Sequence, residues 1–218
     1  MATEPLGRAL TPLDQLQLEH AVAELAARDA HLGDMAGRNG VPPLWPREPG
    51  FGTLVKIILE QQVSLESAAA AFGNLEAAIR EIRPERFLRL DDVALRDIGF
   101  SRQKAGYCRD LARGVIDGSI DLGGLESRSD PEAHRRLTAV RGIGPWTADV
   151  YLLFVLRRPD VWPHGDRALV VSMAESMAMA EVPGYDEAAS IAMSWSPWRA
   201  VAARMLWHAY LIKRGRSM

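Results

Sequence analysis

From Thr11 onward the chain repeats one local pattern: a residue that opens a helix, apolar residues at helical spacing, then a glycine, proline or polar stop. Thr11 followed by Pro12 predicts the start of a first helix, carried by Leu13, Leu16, Val22 and Leu25. The Gly- and Pro-rich stretch 36–50 reads as an ordered loop or linker. Helices are predicted for 51–62, from a Ser64 cap to Arg80, for a short turn from Pro84, from Asp91 to Gly99, and from Ser101 to Asp117. Pro131 opens a helix that ends in the turn 142–144, Pro145 opens the next, and three more cover 166–177, 186–193 and 197–213. Alternating β-branched patterns are scarce and Ala is frequent, so the expected class is all-α.

A chain of 218 residues with 48% apolar residues can build one sizeable core or two small lobes sharing a cleft. The net charge is −2, so a nucleic-acid partner would have to be met by Arg and Lys concentrated on one face. The single cysteine, Cys108, excludes a disulfide framework, a four-cysteine iron–sulfur cluster or a zinc ribbon within this chain. The five histidines show no metal-ligand spacing. No run approaches the ~18 apolar residues of a membrane span, and the N-terminus lacks a secretory pattern. A soluble cytoplasmic protein with no membrane contact is expected.

Residues 137–148 read LTAVRGIGPWTA. Gly142 and Gly144 flank one apolar residue between two predicted helices, with Pro145 opening the second. The glycines allow a tight turn and a close approach of the backbone to another molecule. The amides lie at a helix N-terminus, where the dipole favours an anion, and a DNA phosphate fits there without sequence specificity. Ile143 would point back to pin the two helices. A plain helix–turn–helix corner explains the same residues. Asp166 follows His164-Gly165 and is placed to cap a helix, which by itself is an ordinary role.

Taken in order, Ile58-Leu59-Glu60-Gln61-Gln62-Val63-Ser64, Ile98-Gly99-Phe100-Ser101 with Lys104-Ala105, the hairpin, Gly165-Asp166 and Ser196-Pro197-Trp198-Arg199 resemble the helix-hairpin-helix–GPD superfamily of DNA glycosylases, most like the 3-methyladenine DNA glycosylase II type. The resemblance covers roughly residues 50 to 213 and implies two helical lobes with a DNA-binding cleft between them. Lobe one would be 1–50 with 166–218, and lobe two 51–165. It implies a monomer that flips alkylated purines out of duplex DNA and excises them in base excision repair. Asp166 would then face the flipped nucleotide: a fixed carboxylate stabilises developing oxocarbenium charge or deprotonates the attacking water. Trp146 stands where bifunctional relatives carry a Schiff-base lysine, implying release of the base without strand cleavage.

By the same resemblance Trp146 and Trp207 are pocket aromatics for a cationic base, and Tyr151 and Phe154 line or support the pocket. The wedge that fills the duplex gap falls at the turn after the Ile58-Leu59 helix, with Gln62 as the inserting residue and Ser64 beside it. Arg141, Gly142, Gly144 and Thr147 are expected to meet the DNA backbone, and Lys104 to serve as a phosphate contact or in a structural role, with Arg199 and the tail Lys213-Arg214-Arg216 as further positive charge. Arg102 and Arg109, on the same helix as Lys104, belong to a charge run that reads as a solvated face. No cofactor is required. The carbonyls of Thr138, Val140 and Ile143 would hold a structural Na⁺ or K⁺. His164 is read as packing or surface, and Trp45, Trp162, Trp195 and Trp198 as packing.

Three features depart from the pattern: Arg141 stands where proline is usual, Glu60 places an acid near the expected DNA face, and the chain begins too late for the N-terminal β-rich domain of some bacterial relatives. The rival readings are a non-catalytic helix-hairpin-helix DNA-binding module, a glycosylase of another base specificity, and a protein-binding helical domain.

Overall fold

The computed structural model describes residues 11–216, and these form twelve α-helices and two 3-10 turns with no strand among them. In chain order the helices are α1 (Gln15–Arg28), α2 (Ala30–Asn39), α3 (Phe51–Glu60), α4 (Leu65–Ile79), α5 (Pro84–Phe87), α6 (Asp92–Ile98), α7 (Arg102–Ile116), α8 (Asp130–Thr138), α9 (Pro145–Phe154), α10 (Arg167–Ser176), α11 (Tyr185–Ala192) and α12 (Arg199–Lys213). No helix is long and apolar enough to cross a membrane among the described residues. The chain divides into two compact units, Met1–Pro46 with Leu152–Met218, and Arg47–Tyr151. The second division falls inside α9 rather than near residue 165. The reason is local: the Leu153 carbonyl accepts from Arg204 of α12, and the Pro159 carbonyl accepts from the Ala200 amide, so the segment after Tyr151 belongs with α12.

The first unit is built around α12. Residues 200–207 of that helix are all buried, against Leu18, Val22 and Leu25 of α1, Leu32 and Met35 of α2, and Leu169 and Met173 of α10. Each such side chain, fully buried, contributes about 1.5–3 kcal/mol. The first helix starts later than Thr11 predicts. Asp14 caps it, accepting from the Gln17 amide at 2.8 Å while the Gln17 side chain accepts from the Asp14 amide at 3.0 Å. Leu13 is held outside the helix because its amide donates to the Arg157 carbonyl, and Leu16 is 76% exposed, off the buried stripe. The expected loop 36–50 is also shortened. Asp29 accepts from the His31 and Leu32 amides, and buried Leu32 and Met35 carry α2 through to Asn39 despite two glycines.

In the second unit α3 buries Phe51, Leu54, Val55, Ile57, Ile58 and Leu59. Phe51, Phe87 and Phe100 meet edge to face, with centroids 5.8 and 5.6 Å apart. The caps read from sequence at Ser64, Asp91 and Ser101 each accept the expected amide, those of Ser67, Ala94 and Lys104. The α3 helix ends at Glu60, two residues short of the expectation, for a reason that bears on the site.

Candidate active site

The acid lies in the first unit. The turn Pro163–Asp166 closes through the Asp166 amide on the Pro163 carbonyl, with Gly165 in the left-handed region at φ 87°. Asp166 then caps α10: its Oδ1 accepts from the Leu169 amide at 2.9 Å. The same oxygen accepts from the indole Nε1 of Trp207 at 3.3 Å. Trp207 stacks on Phe154 with centroids 5.3 Å apart and planes 21° from parallel. Beyond Phe154, the Arg204 guanidinium lies 5.5 Å from the ring centroid and donates to the carbonyls of Leu44, Ala200 and Leu153 at 3.1, 3.1 and 2.7 Å. Burial pushes the Arg204 pKa down to about 9. The result is a fixed order of groups: guanidinium, phenyl ring, indole, carboxylate.

This geometry changes the expected part of Trp207. The residue is 5% exposed, with one face against Phe154, so its edge toward Asp166 rather than an open ring face is what it contributes. Phe154 supports Trp207 and is itself buried. Trp162, Trp195 and Trp198 are packing residues, and the last two satisfy their N–H groups on Asp29 and Glu24. Trp45, also assigned to packing, is half-buried and meets Phe154 and His208 edge-on. His164 is exposed and lies 3.0 Å from Asp186. Arg199 is not displayed toward a ligand: it forms a forked pair with Asp160, at 2.9 and 3.0 Å. Burial alone would raise the Asp160 pKa, but the hydrogen bonds and charge of Arg199 hold it below the usual carboxylate value. Lys213 and Arg214 both pair with Glu175.

The hairpin lies in the second unit. Gly142 takes φ 88°, and a Cβ there would lie 2.2 Å from the Tyr107 ring. Both conformation and space therefore demand glycine. A Cβ on Gly144 would meet nothing within 4 Å, so that face of the turn is open. Ile143 is buried as expected, and its amide donates to the Val140 carbonyl. The two hairpin helices are tied by His134 of α8 and Asp149 of α9, 3.4 Å apart. Arg141 is exposed, pairs with Asp110 at 2.9 Å and lies over the Tyr107 ring. Trp146 stands half-buried in the first turn of α9.

Several residues on and around the predicted DNA face are bonded within the protein. Lys104 donates through Nζ to the carbonyls of Leu59 and Gln61 at 2.7 and 2.8 Å, which closes the end of α3. Desolvation lowers the Lys104 pKa. Thr147 is buried, and its hydroxyl accepts from the Gln61 side chain at 2.9 Å. Ser64 caps α4. Arg109 donates to Asp92 and to the Leu90 carbonyl. Tyr151 is 0% exposed, and its hydroxyl accepts from the Gly50 amide, so it cannot line an open pocket. Glu60 is not a loose acid: Arg47 neutralises it through two hydrogen bonds. Gln62 is exposed at the tip of the turn, with φ 55°. Sequence reasoning missed Gln61, whose Nε2 donates both to Thr147 and to the Gly142 carbonyl at 3.0 Å. It also missed Arg47 and Arg204.

Among the described residues no group of three or more His, Cys, Asp or Glu side chains is placed to hold a metal ion. The chain resembles the Bacillus subtilis protein YfjP at 30% identity over 73% of this chain and 58% of that protein, so it spans less than two thirds of that relative's length. A DNA-3-methyladenine glycosidase from Bacillus halodurans superposes with a TM-score of 0.75 at 31% identity, covering 89% of this chain and 91% of that one. A 3-methyladenine DNA glycosylase of Schizosaccharomyces pombe, solved with abasic DNA, shares the fold with a TM-score of 0.81 at 24% identity, covering 89% and 97%. The sequence pattern of the HhH-GPD base excision DNA repair proteins runs through residues 55–197, from α3 across the hairpin and Asp166 to the residues just before α12, and the chain belongs to that superfamily.

Proposed function

We propose that this chain is a monofunctional DNA glycosylase that flips alkylated purines of the 3-methyladenine and 7-methylguanine type out of duplex DNA and hydrolyses their N-glycosidic bond. The observation that carries this reading is the Asp166 carboxylate, held at a helix start by one backbone amide and one indole N–H. The name of the Bacillus halodurans relative, 31% identical, supports the substrate class. An alkylated purine already carries positive charge. The C1′–N bond breaks with its electron pair going to the base, which leaves neutral. The sugar gains oxocarbenium character, which a fixed carboxylate stabilises, and water attacks C1′ while Asp166 takes its proton.

No step in this scheme needs an amine, and the chain has few to offer. Trp146 occupies the lysine position of bifunctional relatives, and the chain holds only Lys56, Lys104 and Lys213. Lys104 is bonded to two carbonyls, Lys213 pairs with Glu175, and Lys56 lies 5.5 Å from the Phe72 ring centroid. The product is therefore an intact strand with an abasic site. Trp146 stacks on the extruded base, the hairpin amides around Gly142 and Gly144 hold a phosphate, and Gln62 enters the duplex gap. By the family resemblance the carbonyls of Thr138, Val140 and Ile143, at the C-terminal end of α8 and in the turn, would hold a monovalent cation, Val140 through the lone pair that the Ile143 amide leaves over. The enzyme acts as a monomer on cytoplasmic DNA and requires no other cofactor.

The test is to incubate the protein and its Asp166→Asn variant with methylated duplex DNA and to chromatograph the released bases. Release of 3-methyladenine or 7-methylguanine by the first, with a loss of orders of magnitude in the second, is expected. Equal release by both removes Asp166 from the chemistry. Release by neither favours a DNA-binding module, and strand scission without heat or alkali contradicts hydrolysis alone.

A further inference from the structure

Gln61 and Gln62 are neighbours with opposite surroundings. Gln62 is exposed at a left-handed position, whereas the Gln61 side chain turns inward and bonds two groups of the hairpin segment, the Gly142 carbonyl and the Thr147 hydroxyl. The backbone on either side is clamped as well. Lys104 takes the carbonyls of Leu59 and Gln61, and the Gln61 amide donates to Ile58. Thr147 is buried, so this bridge is sheltered from competing water. The turn holding Gln62 and the turn holding Gly142 are thus tied together by Gln61, with Lys104 of α7 and Thr147 of α9 as its partners, all within the second unit.

We infer that Gln61 is a positioning residue which, with Lys104 as its clamp, couples the hairpin to the Gln62 turn, so that anchoring of a DNA phosphate at the hairpin fixes where the wedge enters the duplex. The inference rests on the glycosylase reading given above. Gln61 touches neither phosphate nor base in this scheme. Its loss leaves both elements present but lets their spacing vary, and misplacement of a positioning group is costly to rate. The cost falls on extrusion of the nucleotide rather than on bond cleavage.

The experiment uses duplex DNA with one 7-methylguanine, either paired with cytosine or placed opposite an abasic site, where extrusion needs less unpairing. With Gln61→Leu, the single-turnover rate on the paired duplex falls about tenfold, the worth of one or two hydrogen bonds. On the unpaired lesion it changes by no more than about twofold, because extrusion there costs little. Equal loss on both substrates indicates a general structural defect and overturns the inference, as does no loss on the paired duplex. Thr147→Val removes one arm of the bridge with little change of shape and must show the same substrate dependence more weakly, which keeps the test open if Gln61→Leu folds poorly.

A second readout is independent of cleavage. In the Asp166→Asn background, 2-aminopurine beside the lesion brightens when the neighbouring base is extruded, and Gln61→Leu must lower that rise at saturating protein. An unchanged rise overturns the coupling even where bases are released normally. A lowered rise with no base release by the parent protein would overturn the glycosylase reading and leave the coupling standing.

Discussion

Arg47 and Glu60 close a two-pronged pair, Nη1 to Oε2 at 2.8 Å and Nη2 to Oε1 at 3.0 Å, with only 14% and 9% of the two side chains exposed. Removing one partner strands the other charge in a poorly hydrated place. Arg47→Met is expected to destabilise the protein by about 3 kcal/mol, whereas Arg47→Met with Glu60→Met should recover most of that loss. Urea unfolding of the two single variants and the double variant checks the expectation. Additive losses would show that the pair is not the source.

Gly142 and Gly144 should separate cleanly. Gly142→Ala must enter a left-handed conformation and displace Tyr107, and a loss of about 2 kcal/mol or more in stability is expected. Gly144→Ala meets no protein atom and should leave the melting temperature nearly unchanged while weakening binding to duplex DNA. If Gly144→Ala binds DNA as the parent does, the open face of the turn is not where the phosphate sits.

Trp207→Phe keeps an aromatic ring on Phe154 but deletes the Nε1–H that meets Asp166. Hydrogen bonds to charged groups are worth about 1.5–3 kcal/mol, so base release at saturating DNA should slow by about tenfold or more. The affinity for DNA should hold, because the ring is buried. A change confined to affinity would instead mean that the Trp207 ring face binds the base.

Asp160 gives a pH signature. Its folded-state pKa lies below the ordinary 3.8, so the stabilisation by Arg199 is fully present above that value and fades as the pH falls through the lower folded value. Arg199→Met should therefore be less stable than the parent at neutral pH, and the two should converge in strong acid. Urea midpoints measured from pH 7 downward decide this, and a gap that persists after Asp160 is protonated would point to lost packing.

The parts of this molecule that were legible in the sequence are those with local causes. Ser64, Asp91, Ser101 and Asp166 each cap the helix that follows, because a short polar side chain reaches an amide three residues on. Thr11 failed for an equally physical reason: Asp14 is an adjacent and equivalent opener, and a bond from Leu13 to distant Arg157 decides between them. The roles of Lys104 and Gln61 were hidden because their partners lie 43 and 86 residues away in the chain. The local sequence allows Lys104 a phosphate contact or a structural role, and only the two distant carbonyls it closes reveal the second. Arg204, amid apolar helix neighbours, carries no local sign that three carbonyls await it.

The cations expected to face DNA are largely committed, Arg199 to Asp160 and Lys213 and Arg214 to Glu175, while the hairpin offers an open turn at Gly144. A phosphate held by neutral backbone amides displaces fewer condensed counterions than one held by free lysines. The proposed complex should therefore weaken only gently as salt rises, and a chain of net charge −2 would search DNA with little electrostatic pull and little electrostatic trapping.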